Sequence, residues 1–249
     1  WEPLFTFHGF QYVEIRGMES PPKYSTVTAC VIQSGTPQCG EFSCAHAGVN
    51  RLWKNALWSQ KDNFLSVPTD CPQRDERLGW MGDAQVFLRT AMYNMDVAAF
   101  FTKWMQDICD AQTDDGIFPD TAPRLPENEG NFVGLDGLGG GPAWANAGVI
   151  IPWTLWKIYG DSEMVQQTWD NMGAWMQHLE KYNPEWLWVN EMGNNYGDWL
   201  CIPTDTSFRT QSPMKDLLAT AFWANDASKM VDMAEALGKD ASAQHYRTV

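Results

Sequence analysis

From about residue 46 onward, apolar residues recur at the spacing of an α-helix, and this pattern repeats along nearly the whole remaining chain. Val49, Leu52, Trp53, Ala56 and Leu57 fall at i, i+3, i+4, i+7 and i+8, which predicts a first helix ending near Lys61-Asp62. A second helix is expected over Asp83–Asn94. In a third, Val97, Phe100, Phe101, Trp104, Met105 and Ile108 share one face. Helices resume at about 144–159, 162–182 and 214–237, and 240–248 reads as the start of another. Asn94-Met95-Asp96 and Tyr159-Gly160-Asp161 are tight links, with Asp96 and Asp161 placed to cap the helices that follow. Three long irregular segments, 62–82, 113–143 and 183–213, alternate with those links. Short links alternating with long loops predict an array of α/α hairpins. If the array closes into a toroid, the long loops gather at one end, and loops of that length usually carry function.

The first 43 residues follow a different rule. Phe5 to Arg16 alternates and is rich in aromatic and β-branched residues, and Thr26–Gln33 fits a second strand, with turns at Gly17, Pro21-Pro22 and Gly35. Two or three strands do not make a stable domain, so residues 1–43 are expected to be the last strands of a β-sandwich and a linker. Residues 44–249 are then expected to be the front half of a helical domain. Opening in mid-strand and stopping in mid-helix, the chain reads as a piece of something longer. The fold class expected is mainly α, a partial barrel of helical hairpins preceded by a few β-strands.

Charge narrows the partners. A formal net charge of −14 over 249 residues argues against nucleic acid, whose phosphates are neutralised by Lys and Arg, and against an anionic membrane surface. No run approaches the eighteen or so apolar residues of a membrane span. Fourteen Trp in so acidic a chain suit a sugar, which offers apolar C–H faces to indoles and hydroxyls to carboxylates, although most of them are expected simply to fill the helical core. Cys30, Cys39, Cys44, Cys71, Cys109 and Cys201 show no metal-ligand spacing, and His8, His46, His178 and His245 are scattered, so neither metal nor cofactor is expected. Cys30, Cys39 and Cys44 are close enough for one disulfide, with buried free thiols the favoured state. Gly139–Gly141 lacks the Lys-Ser/Thr of a phosphate loop, and Asp114-Asp115-Gly and Asp136-Gly read as turns rather than calcium sites.

The chemistry concentrates in the first long loop. From Asp70 to Asp83, four carboxylates (Asp70, Asp75, Glu76, Asp83) occupy fourteen residues, with Arg74 and Arg77 between them and Trp80 alongside. Glycosidic cleavage needs a carboxylic acid that stays protonated until it donates to the leaving oxygen, and a second carboxylate acting on the opposite face. Crowded like charges and an adjacent indole raise a carboxyl pKa, while arginines lower it; the sequence leaves the balance at Glu76 open. The competing reading, a solvated charged turn with Asp83 as a helix cap, sits poorly with the bracketing Asp-Cys-Pro and Gly-Trp-Met-Gly-Asp.

The nineteen-residue run TDCPQRDERLGWMGDAQVF resembles the signature of α-L-rhamnosidases, glycoside hydrolase family 78. The likeness extends to HGFQYVEI, NRLWKNALWSQKDNF, DICDAQTDDGIFPDTAP, GGGPAWANAGVIIPWTLWKIYGD and NNYGDWL, and so covers nearly the whole chain. It implies an (α/α)6 barrel behind β-sandwich domains, and hydrolysis of terminal α-L-rhamnose with inversion. It also implies that Glu76 is the general acid, that Asp70, Arg74 and Asp83 hold sugar hydroxyls, and that Trp80, Trp144 and Trp199 wall the sugar subsite. Asn146 departs from the resemblance, standing where many relatives are expected to carry an acid. The general base is a Glu on a later barrel loop and is expected beyond Val249. The expected partner is a rhamnose-containing glycoside or polysaccharide. Two alternatives stand beside this: another (α/α)6 glycosidase acting on a different sugar, and a sugar-binding fragment without turnover.

Overall fold

The computed structural model describes residues 2–124, 139–200 and 215–249; the expected Asp136 turn and Cys201 lie outside these described residues. The chain is mainly helical. Helix α1 spans Ala47–Asn63, α2 Met81–Asn94, α3 Ala98–Asp110, α4 Ala147–Tyr159, α5 Glu163–Gln167, α6 Trp169–Tyr182, α7 Lys215–Ala236 and α8 Asp240–Tyr246. Between α1 and α2, β1 (Phe64–Leu65) and β2 (Val67–Pro68) form a two-residue hairpin turning at Ser66, with Phe64 opposite Pro68. No helix among the described residues is long and apolar enough to cross a membrane.

Helix boundaries follow local chemistry. Asp96 accepts from the Ala98 amide (3.2 Å) and Asp161 from the Glu163 amide (2.9 Å), so these acids tie both tight links, although the cap positions fall one residue later, at Val97 and Ser162. His46 caps α1 through Nδ1 on the Val49 amide. The expected single helix 162–182 is broken at Thr168, which separates α5 from α6 and whose hydroxyl bonds the Met164 carbonyl at 2.8 Å. Gly160 ends α4 in the left-handed conformation (φ 75°) that glycine adopts without steric cost.

Helix α4 is the centre of the assembly, packing against α2, α3, α5 and α7 and buried at nearly every position from Ala147 to Leu155. Its close approach to the loop before it depends on Gly148, where a Cβ would stand 2.3 Å from the Phe118 ring. Trp104, Trp175, Trp188 and Trp223 are fully buried in the same core, so the space-filling expectation holds for these four. Each such side chain contributes about 1.5–3 kcal/mol or more through removal from water. His178, stacked on Trp175 with a ring separation of 6.1 Å, is a packing residue.

Three expectations are corrected. The segments 5–16 and 26–33 form no strand; residues 2–46 are an exposed irregular chain with one 3-10 turn at Tyr24–Thr26 and an isolated bridge from Gln38 to Met95. An alternating segment becomes a strand only when a neighbour takes up its N–H and C=O groups, and no such neighbour lies among the described residues. Cys30, Cys39 and Cys44 are free, as favoured, but exposed rather than buried, because the segment carrying them has no core. In α1 the helical spacing is right but the covered face is narrow: Leu57 and Gln60 are buried, whereas Val49 and Leu52 remain exposed.

Candidate active site

The described parts of the long loops converge at one end of the helices. Trp80 bridges to Thr121, and Pro119 bridges to Gly139, so the segment 119–121 is held between the start of α2 and the approach to α4. The Trp80–Thr121 contact admits no side chain at Gly79, where a Cβ would lie 2.2 Å from the Ala122 carbonyl oxygen. The segment 193–200 closes over the same end, with Gly193 against the Gly139 carbonyl.

The acid-rich loop is delivered by the β1–β2 hairpin. Thr69 returns amide and hydroxyl to the Asn63 carbonyl, both at 2.9 Å, and the Asp70 amide donates to the Leu78 carbonyl, pinching 70–78 into a closed turn. Arg77 braces that turn. Its Nε donates to the Pro72 carbonyl, its Nη2 to the Phe7 carbonyl (2.9 Å), and its guanidinium lies 4.0 Å from the Phe7 ring centroid.

Inside the turn, Asp70 and Glu76 meet. Carboxylate oxygens of these two residues and the Cys71 sulfur all lie within 4.8 Å of one another. Arg74 donates to Glu76 Oε2 through Nε (2.9 Å) and Nη2 (2.7 Å), and Trp80 Nε1 donates to Oε1 (3.3 Å). The Glu76 side chain is 19% exposed, and that of Arg74 61%. The question left open at Glu76 is therefore answered: burial pushes its carboxyl up, but hydrogen bonds from Asp70, Arg74 and Trp80, with the Arg74 charge, bring it below the ordinary value. Asp70 moves the other way, up to about 6, through burial first and then its contact with Glu76. One Asp70 oxygen is fully buried with no hydrogen-bond partner, as suits a carboxyl that keeps its proton. Asp70 is thus the member of the pair that keeps a proton toward neutral pH, and Glu76 the member held ionised in the free protein. The trio with Cys71 could offer oxygen and sulfur ligands to a cation, but burial and the two acids push the thiol above its usual range, which disfavours the thiolate a metal would need.

A cleft of about 440 Å³ opens beside this pair. Asp70, Thr69 and Asp83 stand on its polar side; Phe64, Pro68, Val86, Phe87, Trp144 and Trp199 supply apolar wall. Asp83 is not the cap of α2, since Trp80 holds that position without a side-chain bond; it sits in the first helical turn, facing the cleft. Loss of solvent there raises its carboxyl, and the Glu76 charge adds to the effect. Gly82 is required by the wall itself: a Cβ at that position would lie 2.6 Å from the Trp144 indole.

Of the sequence-predicted residues, Asp70, Asp83, Trp144 and Trp199 line the cleft, and Glu76 is joined to them through Asp70, with Arg74 and Trp80 holding Glu76. Asn146 is instead buried, accepting from the Ala143 amide and donating to Asp226 at 2.6 Å, so it positions the start of α4. Two residues at the junction are not among the sequence expectations, Asp120 and Tyr196. The Tyr196 ring touches Trp144 (centroids 4.3 Å), Trp199 (5.9 Å) and Trp80 (6.0 Å), and its hydroxyl donates to Asp120 at 2.9 Å. Neither belongs to a periodic face or a charge cluster, so only their place in the likeness-bearing stretches PDTAP and NNYGDWL could have drawn attention to them.

Comparison with known proteins identifies the family. Residues 37–249 match the family model described as a bacterial alpha-L-rhamnosidase 6 hairpin glycosidase domain, and residues 1–33 match a bacterial alpha-L-rhamnosidase concanavalin-like domain. An alpha-L-rhamnosidase of Streptomyces avermitilis is 44% identical over 97% of this chain, which covers 22% of that protein. The crystal structure of a Streptomyces avermitilis alpha-L-rhamnosidase complexed with L-rhamnose superposes with a TM-score of 0.85 at 42% identity, covering 100% of this chain and 22% of that one. The Aspergillus terreus enzyme gives 0.84 at 32%, covering 100% and 28%. The chain thus spans about a quarter of the length of the relatives it matches.

Proposed function

Because the chain belongs to the bacterial α-L-rhamnosidase family, we propose that the protein carrying it releases terminal α-L-rhamnose from rhamnose-containing glycosides or polysaccharides, with inversion and with Glu76 as general acid. The observation that carries this reading is the Asp70–Glu76 pair at the edge of an indole-walled cleft; the proton that rests on Asp70 in the free protein passes to Glu76, the acid that Arg74 and Trp80 aim, before it is donated. Rhamnose is a 6-deoxy sugar. Its methyl group suits the apolar wall of Phe64, Phe87 and Trp144, and its ring hydroxyls suit Asp70 and Asp83 as acceptors. Arg74 and Trp80 aim the Glu76 carboxyl through two of its edges, fixing the direction of proton transfer.

In the reaction, the glycosidic C–O bond breaks as its oxygen takes the acid proton. Water adds to the anomeric carbon from the opposite face and gives its proton to a second carboxylate. Inversion sets that carboxylate about 6.5–9.5 Å from the acid. The acids lining the cleft, Asp70 and Asp83, belong to the same stretch as Glu76; as the resemblance implies a Glu on a later barrel loop, we propose that the base lies in the part of such a protein that this chain does not cover. The reading is tested by incubating the intact protein with an aryl α-L-rhamnoside and following the released sugar by proton NMR. β-L-Rhamnose is expected first. Initial release of the α-anomer would overturn inversion. Preference for an aryl glucoside in a substrate panel would overturn the rhamnoside assignment.

A further inference from the structure

The pair formed by buried Asp120 and half-buried Tyr196 has no part in the chemistry just described, yet all three loop segments of the site meet on it. Asp120 is 0% exposed. One of its carboxylate oxygens accepts the Gly141 amide (2.9 Å), the other accepts the Tyr196 hydroxyl (2.9 Å), and its backbone carbonyl accepts the Met81 amide (2.9 Å). It therefore ties together the start of α2, the approach to α4 and the 193–200 segment. The space around the pair is closed: a Cβ at Gly141 would stand 2.8 Å from an Asp120 oxygen and 3.0 Å from the Tyr196 ring. Tyr196 in turn contacts three indoles, and one of these, Trp80, donates its N–H to Glu76.

We infer that Asp120 and Tyr196 are a positioning pair for the sugar site: the carboxylate anchors the phenol, and the phenol ring fixes the orientation of Trp80, Trp144 and Trp199. Burying an acid for a purely structural hydrogen bond is costly. Here the acid accepts two donors from different loops, so it sets distances that neither loop fixes alone. The hydroxyl proton is already committed to Asp120 and is not offered to the substrate. Its effect on a sugar passes through the indoles.

This inference rests on the glycosidase reading above, and the test separates the two. In the intact protein, Tyr196→Phe keeps the ring and removes the anchor, and Asp120→Asn keeps the shape and removes the charge. Each is expected to raise KM for an aryl α-L-rhamnoside about tenfold with kcat changed less than about threefold. The double variant should be no worse than the more impaired single one, since both remove one tether. Near-UV circular dichroism of the substrate-free protein reads the wall directly, and Tyr196→Phe should weaken the indole bands with little change in Tm. Unchanged KM, multiplying effects in the double variant, or an unchanged near-UV spectrum would overturn the pair. If the wild-type protein hydrolyses no rhamnoside, the functional reading falls, and the near-UV spectrum alone decides the positioning role.

Discussion

Two regions of the molecule hold a carboxyl group with a raised pKa, and they do opposite things with it. At the loop end, Asp70 is lifted to about 6 beside Glu76, at the rim of a cleft, with a second acid and an arginine within reach. In the helical core, Asp226 of α7 is 0% exposed and lifted to about 7 by burial, against the opposing hydrogen bonds of Asn146 (2.6 Å) and Trp175 (3.3 Å). The first proton is adjacent to open space and can be handed over. The second is sealed between α4, α6 and α7 and can only hold helices together. A raised carboxyl is therefore no sign of catalysis by itself; access to a substrate-sized space decides its role.

Substitutions can break this contrast. Asp70→Asn removes the proton held beside Glu76 and should lower kcat/KM of the intact protein by about 10²- to 10³-fold, within the range for loss of acid–base assistance, with Tm little changed. The titration near pH 6 should vanish from its pH profile. Asp226→Ala should do the reverse, lowering stability by about 3 kcal/mol in denaturant unfolding, because it strands the Asn146 and Trp175 donors in the core. Loss of activity at unchanged stability in that variant would merge the two regions.

A smaller effect sharpens the comparison through pH. The folded chain holds the Asp226 proton up to about 7, whereas the unfolded chain releases it near the ordinary value of 3.8. Between those limits the folded state binds more protons, so stability must fall as pH rises from about 4 to 7. Asp226→Asn, which cannot ionise, should flatten that part of the stability profile. Smaller still, Gly82→Ala drives a Cβ into the Trp144 indole and should raise KM about tenfold or less, with kcat nearly kept.

How much could be read from the chain alone also divides along physical lines. A helix satisfies its own backbone, so spacing of the kind seen at Val97, Phe100, Phe101, Trp104 and Ile108 was enough to locate α3 within a residue or two. A strand is completed by its neighbour, so the alternation from Phe5 to Arg16 could not establish one by itself. The break at Thr168 was hidden because the apolar spacing from Val165 through Trp169 to Leu179 runs across it unchanged. At the site, the cluster from Asp70 to Asp83 announced itself by composition. Asp120 and Tyr196 did not, because their meaning lies in a contact across 76 residues of sequence.

The measurement closest to the centre of this picture is kcat/KM of the intact protein on an aryl α-L-rhamnoside, compared between wild type and Glu76→Gln, with Tm recorded for both. A fall of about 10³-fold or more with Tm unchanged is expected if Glu76 delivers the proton. Activity retained within a few-fold would contradict it and move the acid elsewhere.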